Sequence, residues 1–168
     1  PMAKNLLKAG YALTVYDKFA PLDDLVALGA KAAKSNKEVA ACSEVIITML
    51  PNSPQVREAV LGADGVLEGA KSGTILVDMS SIAPAAAQEI CAAAKAKGVV
   101  MIDAPVSGGE PKAIDGSLAI MVGGDAQAFE TVRPILEKMG ASAVRVGDIG
   151  AGNVTKLANQ IIVALNIA

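Results

Sequence analysis

Lys156 lies about one turn inside a helical pattern opened by the glycine loop Gly147 to Gly152 (GDIGAG), in a sequence with no histidine. Imidazole chemistry is therefore excluded, and Lys156 becomes the leading candidate for acid–base work. Near the positive end of a helix dipole the charged form of a lysine is disfavoured, which suits a proton donor. Asn159 and Gln160 follow at i+3 and i+4 and share its face. A second stretch, Asp103 to Gly109 (DAPVSGG), follows the apolar run Val99 to Ile102, which reads as a buried strand. Backbone N–H groups at Ser107, Gly108 and Gly109 can approach a carboxylate there, because glycine removes the Cβ obstruction. The plainer reading is a tight turn before a helix at Glu110 and Pro111, and the residue types alone leave the two level. Asp103 reads as an acid that fixes its loop, not as a catalyst.

Such residues need a frame. Apolar runs at Ala12 to Tyr16, Val45 to Met49, Thr74 to Val77, Val99 to Ile102, Leu118 to Val122 and Ala143 to Val146 read as strands. Helical patterns cover Met2 to Gly10, Leu22 to Leu28, Asn36 to Cys42, Pro54 to Leu61, Pro84 to Lys97 and Ala126 to Met139. Continuous apolar strands separated by helices predict an α/β fold, a doubly wound and mostly parallel sheet covered on both faces. The strands at Leu118 and Ala143 flank a long helix, and their direction in the sheet stays open. From Gly147 the chain reads as a loop and one long helix leaving the domain.

Composition narrows the classes of function. Of 168 residues 52% are hydrophobic but only 2% aromatic, so the core must be built from Ala, Val, Ile and Leu. Fifteen basic residues face 17 acidic ones without a basic run, which leaves no electrostatic footprint for nucleic acid. No apolar stretch approaches the roughly 18–20 residues of a bilayer span. Cys42 and Cys91 lie far apart with no CxxC spacing and no histidine to complete a metal site. They are expected to be buried, reduced thiols of a cytoplasmic protein.

The two motifs, DAPVSGG and the GxGxxxK of Gly150 to Lys156, resemble those of the β-hydroxyacid dehydrogenases. MLPNSP, DMSSIAP, SGGEPKAIDGSLAIMVGGD and GDIGAGNVTKLANQIIVALNIA extend the resemblance over nearly the whole chain. It implies an oxidoreductase with NAD or NADP, in which Lys156 protonates the carbonyl oxygen of a small carboxylic semialdehyde as hydride arrives. Tartronate semialdehyde, reduced to D-glycerate, ranks first among substrates; 3-hydroxyisobutyrate, succinic semialdehyde and glyoxylate chemistry are the alternatives, as is a non-catalytic cofactor-binding piece. The loop Ser107 to Gly109 and an amide, Asn159 or Gln160, would hold the substrate. Family members often carry Asn-Asn where this chain has Asn159-Gln160, so which amide does the holding stays open.

On the cofactor side the resemblance implies that Leu50, Pro51 and Ser81 lie along the dinucleotide. Without it, Pro51 is a helix-start loop and Ser80-Ser81 an N-cap for the Pro84 helix. Asp17 ends its strand where an acid hydrogen-bonds ribose hydroxyls, favouring NAD, although Lys18 beside it could meet a 2′-phosphate. No strand–GxGxxG–helix fingerprint is assigned within the chain. The expectation is that a strand and glycine turn of about a dozen residues precede Pro1. Residues 1–150 would then be a truncated Rossmann-like domain, and 151–168 the start of a helix leading to an all-helical C-terminal domain through which the parent forms a homo-oligomer. The isolated piece is expected to be inactive.

Overall fold

The structure, a computed structural model, describes residues 1–167. Its helices and strands alternate along most of the chain. Helix α1 (Met2–Lys8) starts after Pro1 and stops before Gly10, whose φ of 87° only glycine adopts cheaply. Strand β1 (Thr14–Val15), helix α2 (Asp23–Ala27) and strand β2 (Lys31–Ala32) follow. Helix α3 (Asn36–Ala41) is capped by Ser35, whose Oγ accepts the Glu38 N–H at 3.1 Å, while the Glu38 carboxylate accepts the Lys34 N–H. Next come β3 (Val45–Thr48), α4 (Ser53–Leu61), α5 (Val66–Gly69), β4 (Ile75–Asp78), α6 (Pro84–Ala96), β5 (Val100–Asp103) and β6 (Val106–Ser107). The chain continues through α7 (Gly109–Asp115), β7 (Leu118–Gly124), α8 (Ala126–Leu136), β8 (Gly140–Gly147) and α9 (Ala151–Ile167). Ala168, the last residue of the expected interdomain helix, lies outside the described residues.

The main sheet runs β3-β4-β5-β7-β6, with β8 on the other edge of β7. Strands β3, β4 and β5 are parallel, as their continuous apolar runs predict. Strand β7 is antiparallel to β5 and β6, and β8 is parallel to β7, which settles the direction that the sequence left open. Ile102↔Gly124, Asp103↔Gly123, Val106↔Ile120 and Ser107↔Ala119 share one register, so β5 and β6 form a single ladder interrupted at Ala104 and Pro105. The DAPVSGG motif is therefore the end of a sheet strand before it becomes a loop.

Neighbouring residues on these strands bury opposite faces. Leu76 and Met101 pack with Val56, Val60, Ala87 and Ile90 under α4 and α6. Val77 and Ile102 pack with Leu6, Phe129, Val132 and Leu136 under α1 and α8. Ile90 is fully buried, and truncating it to alanine would cost about 2–5 kcal/mol.

Three expectations need correction. Strand β1 is only two residues long and pairs in parallel with β2, which is too short and exposed to show a strand pattern, in a sheet separate from the main one. Its other edge faces the free edge of β3 across an open cleft lined by Leu13 to Tyr16 and Val45 to Met49. A strand with one partner of two residues has little to extend it. Cys42 is exposed and Cys91 only half-buried, because Cys42 ends α3, its Sγ directed at the Glu38 and Val39 carbonyls. Both thiols are free.

Candidate active site

Register places Thr48, Asp78, Asp103 and Gly123 in one row across β3, β4, β5 and β7. Three of these are polar and buried, an unusual cost at the ends of otherwise apolar strands. Each carboxylate has a separate task. Asp103 Oδ1 accepts the Gly150 N–H at 2.7 Å, and its Oδ2 accepts the Asn153 N–H at 2.8 Å and Nδ2–H at 3.1 Å. The start of α9 is thereby bolted to β5. The approach is close enough that a Cβ at Gly123 or Gly152 would collide with the Asp103 carboxylate. Asp103 thus fixes not its own loop, as expected from the sequence, but the loop of the other motif, about fifty residues on.

Asp78 Oδ1 accepts the Thr48 hydroxyl at 2.8 Å and the Ser80 N–H at 3.2 Å. Ser80 Oγ accepts the Leu50 N–H at 2.9 Å, so the loops after β3 and β4 are tied through one acid. Oδ2 of Asp78 is buried without a hydrogen-bond partner. Burial pushes the Asp78 carboxyl above the usual range, and the Asp103 charge adds to the push. Burial raises Asp103 as well, against the donors that favour its charged form. Asn153 completes the frame, its Oδ1 accepting the Ile82 N–H at 3.0 Å. Ser80 and Ser81 do not cap α6, which follows Ala83; the Ala83 N–H instead donates to Ser53 Oγ of α4.

On α9, Lys156 Nζ donates to Gln160 Oε1 at 2.8 Å, and Asn159 Nδ2 donates to Ser107 Oγ at 3.1 Å. The shared face predicted for these residues is present, and Asn159 joins it to the DAPVSGG loop. Lys156 is partly buried, and that desolvation holds its ammonium below the ordinary lysine value. Gly108 (φ 140°) and Gly109 (φ 67°) turn the loop with backbone angles that other residues rarely adopt.

Asp17, Leu50, Ser81, Gly109, Lys156 and Gln160 all line one cleft of about 2030 Å³. Pro51, Ser107, Gly108 and Asn159 adjoin that lining in sequence or by hydrogen bond, outside it. Asp17 sits at the far rim, beyond β1. Its Oδ1 accepts the Phe19 and Ala20 N–H groups, both at 2.8 Å, so the acid does hold a turn. The cleft runs the length of the gap between β1 and β3, from Glu44, Lys71 and Thr74 at the amino ends of the strands to Leu50 and Ser81 at their carboxyl ends. Its mouth at the carboxyl ends, with Leu50 on the wall and Asp17, Ser81 and Lys156 on the polar rim, is the part that fits a dinucleotide. Asp78, Thr48, Ser80 and Asn153 were missed as site residues, since nothing in their spacing marks a buried network. Among the described residues, no group of three His, Cys, Asp or Glu could hold a metal ion.

A family model described as the NAD binding domain of 6-phosphogluconate dehydrogenase matches residues 1–150. The chain belongs to this family. It is an NAD(P)-binding domain of Rossmann-like α/β fold. This NAD-binding domain is 46% identical over 166 residues to the NAD-dependent L-serine dehydrogenase of Pseudomonas aeruginosa, covering 98% of the chain and 56% of that protein. It is 43% identical to the 2-hydroxy-3-oxopropionate reductase of Escherichia coli, covering 99% of the chain and 57% of the relative. The solved 3-hydroxyisobutyrate dehydrogenase of Mycobacterium tuberculosis, with L-serine, superposes with a TM-score of 0.92 at 37% identity, over 98% of this chain and 56% of the other. The domain thus spans little more than half the length of the relatives it matches. No helix among the described residues is long and apolar enough to cross a membrane.

Proposed function

We propose that the protein is an NAD-preferring oxidoreductase that reduces a small semialdehyde bearing a carboxylate, with tartronate semialdehyde (2-hydroxy-3-oxopropionate) going to D-glycerate. The observation that carries this reading is the pairing of α9 with the DAPVSGG loop. Asn159 is bonded to Ser107 while Lys156, bonded to Gln160, faces the same cleft as Gly109. A proton donor and an anion-holding backbone are thus assembled side by side.

The bound nicotinamide would supply the hydride to the carbonyl carbon. Lys156 holds a proton on Nζ for the alkoxide that develops on the carbonyl oxygen, and partial burial makes that proton easier to give. Gln160 steadies the ammonium through its Oε1. The N–H groups of Gly108 and Gly109 receive the substrate carboxylate beside Ser107, whose own N–H lies in the ladder to Ala119 and whose Oγ is braced by Asn159. Leu50, Pro51 and Ser81 lie along the cofactor, and Asp17 takes the adenosine ribose hydroxyls. The relative named for 2-hydroxy-3-oxopropionate supports the first choice of substrate. Relatives named for L-serine and 3-hydroxyisobutyrate favour a second reading, a dehydrogenase for another three-carbon-backbone hydroxyacid.

Activity is proposed for a protein of the relatives' length. In it, one extended segment fills the stretch of the cleft between β1 and β3, parallel to both, and joins the two sheets, leaving the mouth at the carboxyl ends to the cofactor. Val154, Leu157, Ile161 and Leu165 of α9 stay exposed in the domain, which supports a further helical domain packed there, and homo-oligomer formation through it. A cytoplasmic setting suits the two free thiols. Steady-state kinetics of the full-length protein with NADH would test the reading against tartronate semialdehyde, methylmalonate semialdehyde, succinic semialdehyde and glyoxylate. The highest kcat/KM is expected for tartronate semialdehyde. Comparable inertness towards all four would overturn the proposal.

A further inference from the structure

The loop after β1 carries a cation immediately next to Asp17. Lys18 Nζ donates to Glu58 Oε1 at 2.9 Å, and Glu58 belongs to α4, the helix that follows Leu50 and Pro51. This ion pair ties the loop after β1, in the two-stranded sheet, to α4, which follows β3 of the main sheet. Helix α4 buries Val56, Ala59 and Val60, so Glu58 projects from a fixed support while Lys18 is the longer and freer partner. Glu58 is also what pushes the Lys18 ammonium above its ordinary value. The same Nζ lies 5.8 Å from the ring centroid of Phe19, which is 88% exposed. The neighbouring cation on α4, Arg57, is engaged instead by both carboxylate oxygens of Glu89 on α6.

We propose that Glu58 sets the choice between the two nicotinamide dinucleotides by occupying Lys18. The idea rests on the reading of Asp17 as the ribose-side acid. NADP differs from NAD by a 2′-phosphate on that ribose, and the cation placed to meet it is Lys18. While Glu58 holds the lysine, the phosphate faces two carboxylates, Asp17 and Glu58, and gains no partner. NAD, with two ribose hydroxyls and no added charge there, is indifferent to the pair. Discrimination is therefore shared between an acid that accepts from ribose and a second acid, on another element, that withholds a cation.

The test is direct binding of NADH and NADPH to the full-length protein, followed by cofactor fluorescence, for wild type, Glu58→Gln, Lys18→Ala and the double variant. Glu58→Gln should lower the ratio Kd(NADPH)/Kd(NADH) by about three- to tenfold, the range of an exposed ion pair plus a removed like charge. The gain should shrink at high salt, and most of it should be lost when Glu58→Gln is made on the Lys18→Ala background, leaving only the direct effect of the removed like charge. An unchanged ratio in Glu58→Gln, or a gain of the same size with and without Lys18, would overturn the inference while leaving the dinucleotide site intact. Failure of the wild type to bind either cofactor would overturn the reading of the site as well.

Discussion

The carboxylate of Asp103 on β5 receives the backbone N–H of Asn153 on α9 at 2.8 Å, and this bond joins the two motifs that define the site. Lys156 stands three residues further along the same helix, so its position is set by an acid on the opposite motif. Replacing Asp103 with Asn would turn one acceptor oxygen into a donor facing the Gly150 or Asn153 N–H. A loss of about 2–4 kcal/mol in unfolding free energy is expected. Denaturant titration checks the stability and steady-state kinetics the site; a variant with wild-type kcat would show that α9 is seated without Asp103.

Lys156→Ala in the full-length protein should lower kcat by ~10²–10⁴-fold and leave cofactor affinity near normal. Burial lowers the lysine, so the proton is lost as pH rises through a value below the ordinary lysine figure of about 10.4. The reductive rate should therefore decline on the alkaline side with an apparent pKa beneath that figure. Lys156→Arg, charged throughout the range, should abolish the decline along with most of the turnover. A decline that persists in this variant would assign it to another group.

Asp78 makes a prediction about pH and stability. Its folded carboxyl lies above the unfolded value of about 3.9, so the native state holds the extra proton. The stability that this group contributes is complete below the unfolded value and is lost as pH rises through the folded one. Asp78→Asn does not titrate, so its stability relative to wild type should improve between pH 4 and pH 8. Chemical unfolding at the two pH values decides the matter; a constant difference would mean that Asp78 titrates normally.

Asp17→Ser should narrow the NADH/NADPH ratio of kcat/KM, chiefly through KM, because the acid is proposed to accept from the ribose hydroxyls. Its Oδ1 also holds the Phe19 and Ala20 N–H groups, and serine can keep part of that turn. If the protein prefers NADPH and the substitution changes nothing, Asp17 serves the turn alone.

A valine at Gly108 is a poor probe of the substrate loop, because its Cβ would press on the Lys112 methylenes and meet a φ of 140°. Asn159→Leu removes the bond to Ser107 without touching those backbone angles. KM should rise several-fold for a carboxylate-bearing aldehyde and far less for a simple aldehyde; equal changes for both would show that the loop does not read the acid.

The sequence made the layered α/β fold legible because apolar runs such as Val45 to Met49 and Val99 to Ile102 are short, branched and flanked by turn residues. Lys156, Asn159 and Gln160 were legible as one face because helical spacing is regular. The length of β1 was not, since Ala12 to Tyr16 looks like any half-buried strand and its extent depends on what lies beside it. The Asp78 network escaped for a different reason. A strand-end aspartate before serines reads as a turn, and only the register with Thr48 and Asp103 shows it buried in a row of polar side chains.

The split between the two sheets has an energetic consequence. A parallel pair of two residues each is far below the size at which strands hold together unaided. In the domain alone, the segment from β1 through β2 should therefore behave as its own cooperative unit, opening while β3 to β8 stay closed. Amide exchange at Lys31 and Ala33, which donate to the Leu13 and Val15 carbonyls, would then run orders of magnitude faster than at Met101 or Val122. The extended segment proposed for the cleft would end that independence by joining the two sheets, whereas in the domain alone dinucleotide affinity at Asp17 would include the free energy of closing β1 through β2.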